Sequence, residues 1–248
     1  MRLHIESMGE GRDLVLLHGW GMSGKCWESV AGRLAERCRV HLVDLPGHGA
    51  SGYSGDDWVD SLAQAFPVDV HVCGWSLGGQ IAIEWAARHR ESVKSLTLVS
   101  STPCFVSKEN WDHGMPFEAF EQFALAFDAD FAATMKRFLY LQAQKDAEER
   151  RLYRALLGYF VEGERDALHA GLDMLRNLDL REEAEQLSLP ILIMHGESDM
   201  LIPISAGRWL AGNMKGAKLE SMPNCSHAPF LSNPGRFVSI LMEFLDES

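Results

Sequence analysis

No apolar run in this sequence reaches the roughly 20 residues that a helix needs to span a bilayer, which argues against an integral helical membrane protein. The opening residues, MRLHIESMGE, carry no apolar core of the kind a secretion signal needs, so a cytoplasmic protein is expected. Paired cysteines are missing too. Cys26, Cys38, Cys73, Cys104 and Cys225 are odd in number and scattered, with no CxxC pair and no metal-ligand spacing. Reduced thiols and no bound metal are the expectation. Positive charge is scarce, with 23 Lys and Arg against 35 Asp and Glu and a net charge of −12, so a nucleic acid would be repelled overall. Internal repeats and low-complexity segments are absent as well. What remains is an ordinary globular composition, 46% hydrophobic and 23% charged over 248 residues, enough to bury a core.

Short apolar, β-branched runs recur along the chain: LHIES (3–7), DLVLLHG (13–19), RVHLVD (39–44), VDVHVCG (68–74), SLTLVS (95–100), ILIMHG (191–196) and KLESM (218–222). Helical patterns fall between them, at roughly 24–36, 77–89, 204–212 and 234–246. Strands alternating with helices predict an α/β fold, a mostly parallel sheet with helices on both faces. Ligands bind such sheets beyond the carboxyl ends of the strands. The alternation stops between about 105 and 185, where FEAFEQFALAFDADFAATMKRFLYLQ, AEERRLYRALLGYFVEG and RDALHAGLDMLRNLD space their apolar residues as helices do. The chain therefore divides into a core of residues 1–104 and 186–248 and a helical cap insertion of residues 105–185 over the ligand-binding edge.

One stretch carries chemistry. In VHVCGWSLGGQ a strand runs into Gly74-Trp75-Ser76-Leu77-Gly78 and a helix follows. A sharp strand-to-helix turn holds a serine clear of its surroundings at the cost of backbone strain, and it leaves room only for glycine two positions to either side. The amide of Leu77 at the helix start can hold an oxyanion. The loop His18-Gly19-Trp20-Gly21, after the second strand, can bring the Trp20 amide beside it.

A serine nucleophile needs a base. After residue 199 the only histidine is His227, in NCSHAPF between the last strand and the last helix. The acid precedes the histidine in chain order on such sheets. HGESDMLIP offers Asp199, with Glu197 as a nearby competitor. Strand 95–100 ends in SSTP and supplies no carboxylate.

With HGWG, DLPGHG, GWSLGG, HGESD and SHAPF in order, the chain resembles the α/β-hydrolase family over nearly its whole length. A serine at 76 separates it from epoxide hydrolases and haloalkane dehalogenases, which place an aspartate there. HGWGM, LPGHGAS, GWSLGG, SHAPF and the cap's RFLYLQ are similar to those of the pimeloyl-acyl-carrier-protein methyl ester esterases of biotin synthesis. The resemblance implies a catalytic triad of Ser76, Asp199 and His227, an oxyanion site at Trp20 and Leu77, and an acyl channel lined by Phe138, Leu139, Tyr140, Leu141 and Gln142. It implies no metal or organic cofactor. It also implies acyl carrier protein as the partner, bearing a pimeloyl methyl ester.

The cap has an independent feature. Lys136, Arg137, Lys145, Arg150, Arg151 and Arg154 outnumber Asp146, Glu148 and Glu149 there. Arg150 and Arg154 share a helix face, and a basic face on an acidic protein can steer an acidic partner. The resemblance places Arg137, Arg150 and Arg154 against the carrier. Ala133 and Leu157 stand where further basic side chains would be expected. A monomer is expected. The competing readings are a broad short-chain carboxylesterase, a serine C–C hydrolase on the same scaffold, and a non-catalytic binding protein.

Overall fold

The computed structural model describes residues 2–248. The first half of the chain lays down strands β1 (Ile5–Met8), β2 (Arg12–Leu17), β3 (Cys38–Val43), β4 (Val70–Trp75) and β5 (Val93–Val99). Between them come helices α1 (Glu28–Leu34), α2 (Trp58–Ala65) and α3 (Leu77–Arg88). Five helices follow without a strand: α4 (Phe117–Ala129), α5 (Phe131–Ala143), α6 (Glu149–Tyr159), α7 (Arg165–Asn177) and α8 (Arg181–Gln186). The chain then returns to the sheet as β6 (Ile191–Gly196), α9 (Ile204–Asn213), β7 (Lys218–Met222), α10 (Pro229–Ser232) and α11 (Pro234–Glu247).

The seven strands form one sheet in the order β1-β3-β2-β4-β5-β6-β7. Only β1 runs antiparallel, against β3; the other pairings are parallel. Every residue of β4 and of β6 is buried, as expected of central strands covered on both faces. Two apolar clusters lie on the two sides of the sheet. One gathers Val15, Val72, Ile81, Trp85 and Leu98 with α2 and α3, and the other gathers Leu14, Leu16, Trp27, Phe230 and Phe237 with α1 and α11. The alternation Leu14, Val15, Leu16, Leu17 thus sends successive side chains of β2 to opposite clusters. No helix among the described residues is long and apolar enough to cross a membrane.

Two features differ from the sequence expectation. Helix α2 lies in a Gly/Ser/Asp-rich stretch where no helix was expected. It is eight residues long and starts on an Asp57 cap that accepts the Asp60 N–H at 2.9 Å. The long run 117–142 is two helices rather than one segment. Asp130 leaves helical geometry at φ −149°, and its carboxylate caps α5 by accepting the Ala133 N–H.

Candidate active site

The loops that leave the carboxyl ends of β2, β4, β6 and β7 carry the four stretches that the sequence singled out. At the end of β4, Ser76 sits at φ 54°, ψ −118°, a conformation that costs a non-glycine residue of order 1–3 kcal/mol. The neighbourhood enforces it. The Ser76 N–H donates to Val99 O at 3.0 Å, and Ser76 O accepts from Ser101 Oγ at 2.8 Å and from the Gly79 N–H at 2.9 Å. The flanking glycines are required by close approach. A Cβ on Gly74 would lie 2.3 Å from Gly78 O, and one on Gly78 would lie 2.6 Å from His18 O.

Leu17 pairs with Gly74 across β2 and β4, so the loop that leaves β2 passes over this turn. The Cβ position of Gly19 lies 3.2 Å from Ser76 Cβ. Among the described residues, neither the Trp20 N–H nor the Leu77 N–H donates a hydrogen bond to the protein. Two buried histidines hold the loop. His18 Nε2 accepts the Leu45 N–H at 2.9 Å, and His48 Nε2 accepts the Gly21 N–H at 3.3 Å. Their Nδ1–H groups donate to Gly19 O and Pro46 O. Both rings must be neutral to do this. Burial, helped by His48, pushes His18 down to about 3, and burial pushes His48 down to about 4.

A pH dependence follows. Above about pH 6.5 these two rings are neutral in the folded and the unfolded chain, and their contribution is fully present. Below it the unfolded chain takes up protons that the folded chain refuses. Stability should therefore fall as pH drops from about 6.5 towards 4, by up to about 1.4 kcal/mol per pH unit for each ring. Urea unfolding at pH 7.5 and 5.0 measures this, and a His48→Gln variant, which cannot titrate there, should flatten the profile.

Asp199 and His227 meet from β6 and β7. His227 Nδ1 and Asp199 Oδ2 are 2.7 Å apart, and both side chains are buried. Asp199 Oδ1 accepts the N–H groups of Leu201 and Ile202 at 2.9 and 3.0 Å, which fixes the carboxylate plane. Burial alone would raise the Asp199 carboxyl. The His227 ring, its hydrogen bond and the His195 ring outweigh that and hold it below the usual carboxylate range. The competing Glu197 is turned away and accepts from Ser221 Oγ. The main chain of His227 is fixed as well: Trp75 Nε1 donates to His227 O at 2.8 Å, and the His227 N–H donates to Gln142 O at 3.2 Å. The Trp75 contact was not foreseen. In sequence, position 75 is only the unspecified residue of the G-x-S-x-G pattern, between Gly74 and Ser76.

Trp20 joins this edge to the inserted helices. Its Nε1 donates to Leu168 O in α7, and its ring makes edge or tilted contacts with Phe123, Phe127 and Phe138. Gly171 makes room for it, since a Cβ there would lie 2.6 Å from Trp20 Cδ1. Beyond Trp20 is an apolar cavity of about 220 Å³. Ala119, Phe120 and Phe123 of α4, Phe138 and Leu141 of α5, and Leu172 and Leu175 of α7 wall it. Within each helix these residues lie three or four positions apart, or adjacent. That spacing was the available signal for those not named from sequence.

Of the expected acyl-channel segment, Phe138 and Leu141 face the cavity, and Leu139, Tyr140 and Gln142 do not. Leu139 is buried in the other apolar cluster. Tyr140 is 43% exposed, and its hydroxyl donates to Glu149. Gln142 is buried and offers His227 its main-chain carbonyl. One helix cannot turn five consecutive residues to one side.

Arg137 borders the cavity and is exposed, as are Lys136, Arg150 and Arg154. Among the described residues none of these four has a carboxylate within ion-pair distance, whereas Arg151 is paired with Glu148. Tyr140 and Tyr153 contact edge to face at 5.7 Å. They lie one turn beyond Arg137 and Arg150 respectively, so the two basic turns sit on adjoining helices.

The sequence profile of the Alpha/beta hydrolase family matches residues 14–240. The chain belongs to that family. Within it, this hydrolase is 44% identical to the pimeloyl-[acyl-carrier protein] methyl ester esterase of Chromobacterium violaceum, over 99% of each chain. It is 42% identical to the protein of the same name from Nitrosomonas europaea, over 96% of this chain and 97% of that one. In fold the hydrolase is similar to an esterase from Exiguobacterium antarcticum, with a TM-score of 0.88 over 98% and 95% of the two chains at 23% identity. It is similar also to a hydrolase from Oleispira antarctica, with a TM-score of 0.90 over 100% and 96% at 19% identity.

Proposed function

We propose that this hydrolase is a serine carboxylesterase that removes the methyl group from pimeloyl-acyl-carrier protein methyl ester, in the route to biotin. The observation that carries the chemistry is the strained Ser76 next to Trp75, whose indole bonds the main chain of His227 in the Asp199–His227 pair, with two unengaged amides at Trp20 and Leu77. The substrate follows from two full-length relatives of that name at 44% and 42% identity, and the cavity and the free cations are consistent with it.

In this reading Ser76 Oγ attacks the ester carbonyl while His227 Nε2 takes its proton. Asp199 stabilises the imidazolium. The Trp20 and Leu77 N–H groups hold the tetrahedral oxyanion, and one such donor is worth on the order of 10²–10³ in rate. Methanol leaves with the proton from His227. Water, deprotonated by the same ring, then attacks the acyl-enzyme carbonyl and frees the carboxylate and Ser76. The helices of the insertion act as the cap. The cavity of about 220 Å³ is walled by aromatic and aliphatic side chains, which suits the apolar chain of a short diacid. The unpaired cations on α5 and α6 face outward, towards an acidic carrier.

The test compares kcat/KM for the carrier-bound methyl ester, dimethyl pimelate and a p-nitrophenyl ester at two salt concentrations. The carrier-bound ester should be preferred, and salt should weaken that preference. Reversing charge at Arg150 and Arg154 together should cost about tenfold on the carrier-bound ester and leave the p-nitrophenyl ester unchanged. Equal turnover of the free esters with no salt effect would reduce the protein to a general carboxylesterase.

A further inference from the structure

The corner between α5 and α6 holds the His227 loop by a set of hydrogen bonds that the chemistry described above does not use. Asp146 sits in that corner and is 7% exposed. Its Oδ2 accepts the Ser226 N–H at 2.9 Å and Ser232 Oγ at 2.6 Å, and its Oδ1 accepts the Glu148 N–H at 2.9 Å. Three donors meet one buried carboxylate, and bonds to an ionised acceptor are stronger than neutral ones. Around it, Ser226 Oγ donates to Gln144 O, the Ala147 N–H donates to Asn224 O, and the His227 N–H donates to Gln142 O. Asn224, Ser226 and His227 are thus each bonded to residues 142–147. Both segments turn through a non-glycine residue at positive φ, Lys145 at 65° and Asn224 at 61°; asparagine adopts this conformation readily, whereas at Lys145 it is uncommon and is held by the surrounding bonds.

From this we infer that Asp146 is a positioning residue for His227, and that through it the placement of α5 and α6 sets the catalytic histidine. The inference rests on the triad reading given above. The same corner leads straight into α6, which carries Arg150 and Arg154 on its exposed side. A carrier docked on those cations steadies the corner, and the corner steadies His227. Removing Asp146 therefore cuts that route for a tethered substrate as well as for a free one.

The experiment uses Asp146→Asn, Asp146→Ala and Ser232→Ala in the full chain. Active sites are counted by the burst of p-nitrophenol from a slowly deacylating ester, so kcat is expressed per competent site. Asp146→Ala should lower kcat per site on p-nitrophenyl acetate by at least tenfold, with KM within about twofold. Asp146→Asn, which keeps one acceptor oxygen, should fall between Ala and wild type, and Ser232→Ala should show the smallest loss. The loss should be as large on the carrier-bound methyl ester. A merely structural role would lower the number of competent sites and leave kcat per site alone, and that result overturns the inference. If Asp146→Ala does not fold, Asp146→Asn and Ser232→Ala decide it by the same measure. Ser76→Ala separates the two levels. Wild-type turnover there sinks the triad reading itself, whereas an inactive Ser76→Ala beside an unaltered Asp146 series sinks only the positioning role.

Discussion

Replacing Ser76 by alanine is expected to lower kcat for every ester substrate by on the order of 10⁵-fold or more, with KM changed by only a few fold. On the proposed mechanism the side chain contributes one atom to substrate binding but supplies the nucleophile. Alanine keeps the backbone hydrogen bonds of Ser76 N and O, so the fold should survive, and the effect should be confined to the covalent step. Single-turnover kinetics with a p-nitrophenyl ester would show it as a lost burst. A variant that keeps more than about one per cent of wild-type kcat would remove Ser76 from the mechanism. Ser76→Gly gives a second, independent reading. Glycine adopts φ 54°, ψ −118° without penalty, and relief of strain of order 1–3 kcal/mol exceeds the roughly 0.4–1 kcal/mol that glycine costs through the unfolded chain, so the inactive glycine variant should be more stable than wild type by about 1 kcal/mol in urea unfolding. Stability gained where activity is lost is the signature of strain maintained for function.

Much of this site was legible in sequence because the chemistry restricts the residue types. Gly74 and Gly78 are read from GWSLG since no side chain fits where their Cβ atoms would meet Gly78 O and His18 O. His227 follows by elimination, being the only histidine after residue 199. In sequence, only spacing and side-chain length favour Asp199 over Glu197. Both carboxylates lie within two residues of each other, and what separates them is the turn that aims the Leu201 and Ile202 amides at Asp199. RFLYLQ was misjudged for a related reason. Its helical spacing pairs 138 with 141, but the rotation of α5 about its axis depends on Trp20, which is more than 100 residues earlier. Asp146 was invisible because its partners Ser226 and Ser232 lie 80 and 86 residues away. Local pattern reports what a turn demands of its own residues. It does not report which distant segment a corner will be bonded to.

That turn at Asp199 also decides the second large effect. Asp199→Asn should lower kcat by on the order of 10⁴-fold, as the equivalent change does in serine proteases, while leaving the structure folded. The amide could in principle flip to offer its oxygen to His227, and a flip would rescue activity. Here it is blocked. Oδ1 of residue 199 must accept two buried backbone N–H groups, from Leu201 and Ile202, and an NH₂ group in that place would leave both donors without an acceptor. The oxygen therefore stays on the Leu201 side, and the NH₂ faces His227 Nδ1. An NH₂ donating to Nδ1 forces the ring proton onto Nε2, the atom that must be bare to take the proton from Ser76. The imidazole keeps its place and loses its tautomer. The histidine proton resonances of the variant should move from Nδ1–H to Nε2–H for His227, and the burst from a p-nitrophenyl ester should slow in parallel. A variant within tenfold of wild type would mean that the amide had flipped after all, or that Asp199 does not orient the base. The nitrogen resonances of His227 distinguish these, because a flipped amide leaves the Nδ1–H tautomer in place.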